Sequence, residues 1–336
     1  MLDRAGPQRA FARVGDMDLH WAEMGQGRPL VLLHGLSDCH GTWSRVAPRL
    51  ARTRRVIMPD LPGHGFSGRP DASYALDWYA ETLVRWFDDL GLDDFDMVGH
   101  SFGGGVAQRL LLECGPRVGR LALVSSGGLG RDVGLPLRLA SLGMIEPLGQ
   151  PFMGIGTRLF VQRHGAFSRD EAAGLAWLNS QPGSARVLSR TARDVIDWRG
   201  QKRHFLDRAH EIGRFPPTIV YWGERDPIVP AHHASGMADY LEGLYLVRFA
   251  NCGHFPHREC ANAFAGSLEA FLDAEHHEPP RLRRSALIPR APRKKRKPRK
   301  SRARSRTPRA PRSGTPLRRM WERLAAAFGF RRARFA

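Results

Sequence analysis

A serine between glycines lies at the seam of two structural patterns in this chain. Gly99-His100-Ser101-Phe102-Gly103 follows the apolar run DFDMV and opens the helical pattern GGGVAQRLLLEC. A G-x-S-x-G between strand and helix turns the backbone so tightly that the serine hydroxyl stands above the end of a sheet. The flanking glycines suit that turn, because a side chain there would collide with neighbouring backbone. In a chain with 36 glycines the bare motif arises easily by chance; the strand–turn–helix setting gives it weight. The rest of the sequence must then supply a sheet whose strand ends feed helices.

Short apolar runs do alternate with helical patterns from about residue 10 to residue 275. PLVLLHG (29–35), RVIMPDLPG (55–63), DFDMVGHS (94–101), RLALVSSGG (120–128), TIVYWGERD (218–226) and LYLVRFANCGH (244–254) read as buried strands closed by turn chemistry. Tyr79, Leu83, Phe87 and Leu90 recur every three or four residues and give a helix one apolar face. The alternation predicts an α/β fold, a mostly parallel central sheet flanked by helices. One connection is long. Roughly 90 residues separate the strand ending near Ser126 from the one starting near Thr218, where ~2–6 are usual. Ser168 and Glu171 form a capping-box pattern there, and SARVLSRTARDVIDW reads as a further helix. The expected organisation is therefore a core over 1–128 and 216–275, an inserted helical cap over 129–215, a disordered basic linker over 276–316, and a basic amphipathic helix over 317–336.

Charge divides the chain the same way. The formal net charge is +19, yet residues 281–336 hold 22 basic side chains against a single acid, Glu322. The body is nearly neutral, so the high pI belongs to the tail and does not mark a nucleic-acid-binding fold. The tail is expected to meet an anionic membrane surface, because Met320, Trp321, Leu324 and Phe328 fall near one helical face among arginines. Nucleic acid is the alternative polyanion, and a solvated tail with no partner is the third reading. No apolar run approaches the ~20 residues of a spanning helix, and the first residues lack a signal-like apolar stretch. Cys39, Cys114, Cys252 and Cys260 form no CxxC pair. Reduced thiols and a cytoplasmic location, peripheral to the inner membrane surface if the tail binds there, are the expectation.

A serine nucleophile needs a base within hydrogen-bond reach and a third group to orient that base. In chain order after Ser101 come Asp226, ending one predicted strand, and His254, following the last. Asp60 also ends a strand but precedes the serine and more naturally ties down its own turn; Asp239 reads as a solvated helix residue. His257 competes with His254, and the two together lack a third ligand at supporting spacing, so no metal site is expected. Two backbone N–H groups must meet the oxyanion. Phe102 follows the nucleophile, and Leu36 lies in the loop after PLVLLHG. A rival motif, Gly63-His64-Gly65-Phe66-Ser67-Gly68, matches GxGxxG, but no helical pattern opens until about Leu76, so a dinucleotide site is rejected. No cofactor is implied.

Taken together, His34-Gly35, Asp60-Leu61-Pro62-Gly63-His64-Gly65-Phe66-Ser67, Gly99-His100-Ser101-Phe102-Gly103-Gly104, Gly223-Glu224-Arg225-Asp226 and Cys252-Gly253-His254 resemble the α/β-hydrolase superfamily, in its lid-bearing, serine esterase-like branch. Gly127-Gly128 and Asp197-Trp198-Arg199-Gly200-Gln201 are similar to a bacterial subgroup of uncharacterised hydrolases. The resemblance implies a serine hydrolase acting on a small acyl substrate, a carboxylic ester first of all, through an acyl-enzyme. Ser101 speaks against dehalogenases and epoxide hydrolases, which carry Asp at that position. Carbon–carbon bond hydrolases typically show a Gly-rich oxyanion loop and Trp after the histidine, where this chain has Leu36-Ser37-Asp38 and Phe255. Lactone, thioester and perhydrolase chemistries share the same triad. A non-catalytic, anchored binding protein is the alternative from another class.

Overall fold

The computed structural model describes residues 6–283 except 165, 203–206, 239 and 276–278. The linker beyond 283, the helix expected over 317–336 and Asp239 lie outside the described residues. Eight strands form one sheet: β1 (Gln8–Val14), β2 (Met17–Met24), β3 (Arg28–Leu33), β4 (Arg54–Pro59), β5 (Phe95–His100), β6 (Val118–Val124), β7 (Thr218–Gly223) and β8 (Tyr245–Phe249). Their order is β1-β2-β4-β3-β5-β6-β7-β8, parallel from β4 to β8, with β2 antiparallel to both its neighbours.

Both faces of the sheet are covered, which is why its inner strands read as continuous apolar runs. Alternation along β3 sends Val31 and Leu33 to one face and Leu30 and Leu32 to the other. The first face packs against α1 (Leu76–Asp89) and α2 (Phe102–Cys114) through Leu83, Phe87, Val106 and Leu110. The second packs against α7 (Ala261–Asp273) through Phe264, Leu268 and Phe271.

Between β6 and β7 the chain forms α3 (Leu135–Ala140), α4 (Met153–His164), α5 (Arg169–Ser180) and α6 (Ser184–Val195). The Ser168–Glu171 capping box that opens α5 is formed on both sides. Helices α5 and α6 are fastened to the sheet-bearing body: Asn179 donates to the Ser37 carbonyl, Arg69 donates to the Leu178 carbonyl, and the Tyr79 and Thr191 hydroxyls share a hydrogen bond.

Three features depart from the sequence reading. The β1–β2 hairpin has no predicted counterpart, because β1 is an edge strand with an exposed outer side and so shows no continuous apolar run. Order also continues past residue 275: Arg281 and Leu282 pair with Glu242 and Leu241, within the segment expected to be disordered linker. Finally, Cys252 and Cys260 are bonded, which corrects the expectation of four reduced thiols. The turn after β8 and the short helix Pro256–Glu259 bring their Cα atoms to 6.6 Å, within reach of a disulfide. Cys39 and Cys114 are free.

Candidate active site

Parallel register sets the site. Leu33 lies beside Gly99, His100 beside Val124, Val124 beside Tyr221 and Gly223 beside Phe249. The carboxyl ends of β3, β5, β6, β7 and β8 therefore share one edge, where loops of an open α/β sheet meet ligands. Ser101 leaves β5 with φ +53° and ψ −116°, a backbone region unfavourable for a side chain. The strain is held by neighbours: Ser101 N–H donates to the Val124 carbonyl, and Gly127 N–H donates to the Ser101 carbonyl, each at 2.9 Å. A Cβ at Gly103 would strike the carbonyls of Leu33 and His34, so the start of α2 can approach β3 only with glycine there.

Asp226, His254 and Ser101 form a continuous chain of hydrogen bonds. His254 Nδ1 lies 2.7 Å from Asp226 Oδ2, and His254 Nε2 lies 2.9 Å from Ser101 Oγ. The other carboxylate oxygen accepts from the Ile228 and Val229 N–H groups at 2.8 and 2.9 Å. With Asp226 accepting, the imidazole proton sits on Nδ1, which leaves Nε2 to accept from the serine hydroxyl. The expected oxyanion donors lie beside the serine. Phe102 opens α2, where an N–H has no intrahelical partner, and no acceptor is found for the Leu36 or Phe102 N–H among the described residues.

The competing candidates have other partners. Asp60 accepts from the His40 and Phe66 N–H groups and from the His20 and His40 rings. Burial works against its charge, but the His20 and His40 hydrogen bonds prevail and hold the carboxyl well below the usual range. It ties down its own turn. His257 is buried and pairs with the Thr42 hydroxyl, away from His254 Nε2. The Gly63–Gly68 N–H···O bond closes the GxGxxG stretch as a loop, and α1 begins only at Leu76.

Two groups carried no signal in the sequence. His100, the variable residue of the motif, donates from Nε2 to the main-chain carbonyl of His254 at 2.9 Å. Arg258, wholly buried, pairs with Glu171 of α5 at 2.6 Å and stacks over Phe167. Both contacts link segments far apart in sequence, so no local pattern announces them.

Above Ser101 and His254 lies a cavity of about 480 Å³. Its walls are apolar, with Leu137, Met144, Leu148 and Phe152 from the helical insertion facing Phe255 from the core. Among the described residues, no lysine or arginine lines it. Met144, Leu148 and Phe152 are also more than half exposed, so the cavity meets solvent along that edge.

Known proteins resemble this chain in sequence and in fold. An uncharacterized protein of Mycobacterium tuberculosis is 34% identical over 297 residues, covering 85% of this chain and 86% of its own. The 2-hydroxymuconate semialdehyde hydrolase of Pseudomonas sp. strain CF600 is 32% identical over 264 residues, covering 74% of this chain and 88% of its own. Among solved structures, Cfl2 of Burkholderia cenocepacia superposes with a TM-score of 0.70 at 24% identity, over 79% of this chain and 96% of its own. The model of the alpha/beta hydrolase family matches residues 30–267, and the chain belongs to that family.

Proposed function

We propose that the protein is a serine hydrolase of neutral, apolar carboxylic esters, with residues 129–215 serving as the cap over its substrate. The observation that carries this reading is the hydrogen-bonded chain Asp226–His254–Ser101 opening onto an apolar cavity. Ser101 Oγ attacks the ester carbonyl carbon as its proton passes to His254 Nε2. Asp226 stabilises the resulting imidazolium, and the Leu36 and Phe102 N–H groups meet the oxyanion. The carbon–oxygen bond to the alcohol then breaks, and the leaving oxygen takes the proton from Nε2. Water, losing a proton to the same nitrogen, attacks the acyl-enzyme and releases the acid and free Ser101. Every step uses groups of this chain, with no cofactor or metal.

Carbon–carbon bond hydrolysis is the second reading, favoured by the 32% identity to the muconate semialdehyde hydrolase. A muconate is a carboxylate, and a buried carboxylate calls for a cation or several donors. The absence of lysine and arginine among the described lining residues favours an uncharged substrate instead. Lactones and thioesters fit the same nucleophile and stay behind esters for want of a feature that selects them. A fluorophosphonate probe should label the wild type and not Ser101→Ala. Turnover should then be compared on neutral apolar esters, a thioester, a lactone and a 2-hydroxy-6-oxo dienoate. Labelling with preferential ester hydrolysis is the expected result. Turnover of the dienoate alone would move the reading to carbon–carbon cleavage, and loss of labelling altogether would point to a non-catalytic protein.

A further inference from the structure

The loop that carries His254 touches the neighbours of both other triad residues. Arg225, just before Asp226, donates its N–H to the Cys252 carbonyl at 3.0 Å. His100, just before Ser101, donates from Nε2 to the His254 carbonyl at 2.9 Å. A Cβ at Gly223 would strike the carbonyls of Cys252 and Gly253, so the loop lies directly on the end of β7. The Cys252 and His254 carbonyls belong to peptide units whose N–H groups are those of Gly253 and Phe255, and these need partners too.

Glu259 supplies both partners. Gly253 N–H donates to its Oε2 at 2.6 Å, and Phe255 N–H donates to its Oε1 at 2.9 Å. One carboxylate thus spans the base, and hydrogen bonds to a charged acceptor are stronger than those between neutral groups. With their carbonyls held by Arg225 and His100, the two planar peptide units are fixed at both ends. Their planes set the direction in which the His254 side chain leaves the backbone. Its ring must bridge Asp226 at 2.7 Å and Ser101 at 2.9 Å, so a tilt of the loop breaks one contact or the other. Glu259 ends the four-residue helix Pro256–Glu259, and Phe255 is the residue that caps it, so the bond to Phe255 also serves the helix. The bond to Gly253 reaches past His254, outside the helix, and serves no such cap.

We propose that Glu259 is a positioning residue for the base, its carboxylate setting the His254 backbone so that the imidazole bridges Asp226 and Ser101. The inference rests on the serine-hydrolase reading above and needs only its nucleophile and base, whatever the acyl substrate. Glu259 is exposed and is not among the residues that line the cavity, so its effect passes through the His254 loop. Misplacing a reacting group by about 1 Å costs on the order of a hundredfold in rate.

The test uses the full chain as wild type, Glu259→Ala and Glu259→Gln, at a temperature where circular dichroism shows each variant folded. Two rates are read: steady-state turnover of 4-nitrophenyl butanoate, and the rate constant for labelling by a fluorophosphonate. Glu259→Ala should lower kcat and the labelling rate together by about a hundredfold, with KM within about twofold of wild type. Glu259→Gln keeps one acceptor oxygen and should fall only about tenfold below wild type. It carries the test if Glu259→Ala fails to fold. Rates within about twofold of wild type in the folded variants would mean that the carboxylate only caps the short helix, and would overturn the inference. A loss taken up in KM, or a Gln variant no faster than the Ala variant, would overturn it as well. If the wild type labels but leaves the ester intact, the ester reading fails and the labelling rates still decide this inference. If the wild type does not label, the serine-hydrolase reading fails and takes this inference with it.

Discussion

His100 donates a 2.9 Å hydrogen bond to the main-chain carbonyl of His254, so the residue before the nucleophile holds the backbone of the base. Burial keeps His100 neutral by pushing its pKa well down, and the nearby His254 acts in the same direction. The bond therefore has one donor and no charge, and its role is positional. His100→Phe should lower kcat about tenfold, the worth of one such bond, with KM changed less than twofold. His100→Gln, which retains an N–H donor, should recover part of the loss. Equal losses in kcat from both variants would contradict a positioning role.

Removing the nucleophile or base should be far more severe. Ser101→Ala and His254→Ala are each expected to lower kcat by ~10⁴–10⁶-fold, because the two act as one unit. Asp226→Asn should cost somewhat less. Steady-state kinetics, with circular dichroism to check folding, decides; full activity in Ser101→Ala would exclude the assigned nucleophile.

The fully buried Arg258 and the Glu171 carboxylate of α5 form an unequal pair, with side-chain exposures of 0% and 34%. Losing Glu171 leaves a buried guanidinium without its counter-charge and also breaks the capping box. Glu171→Ala should therefore destabilise by about 3 kcal/mol, and more than Arg258→Met, which removes the buried charge itself. Denaturant titrations of both variants measure the order; a reversed order would show that the pairing is not what holds α5.

Four buried histidines predict acid sensitivity. Desolvation is the leading cause that lowers the pKa of His34, His64, His100 and His257, taking His64 to about 3. Folded values below the unfolded value of about 6.5 mean that the unfolded chain binds more protons as pH falls. The stability they contribute is complete above that value and is lost as pH drops below it, by up to about 1.4 kcal/mol per pH unit for each histidine. Tm should fall steeply between pH 6.5 and pH 5; a flat Tm over that interval would contradict burial of these rings in neutral form.

The basic tail makes a separate prediction from composition alone, since residues 284–336 lie outside the described residues. Deleting 284–336 should leave turnover on a dissolved ester nearly unchanged and abolish sedimentation with anionic vesicles. Equal vesicle binding by both chains would exclude the tail as the attachment, and binding to DNA in place of vesicles would identify nucleic acid as its partner.

Local chemistry determined much of this protein. The run DFDMV followed by Gly99-His100-Ser101-Phe102-Gly103 specifies strand, strained turn and helix within a few residues, because the turn needs glycine flanks wherever the chain goes next. The ends of the strands before Asp226 and His254 were legible from turn residues, and parallel pairing then aligns those ends without further instruction. What the tertiary structure alone decided are contacts between distant segments. Gln201 reaches Gly128 across 73 residues, and His100 reaches His254 across 154. The cavity walls, the Cys252–Cys260 pair and the β1–β2 edge likewise depend on how elements pack. Periodicity and turn propensity act over a few residues, whereas a hydrogen bond between segments exists only where packing brings its donor and acceptor within about 3 Å.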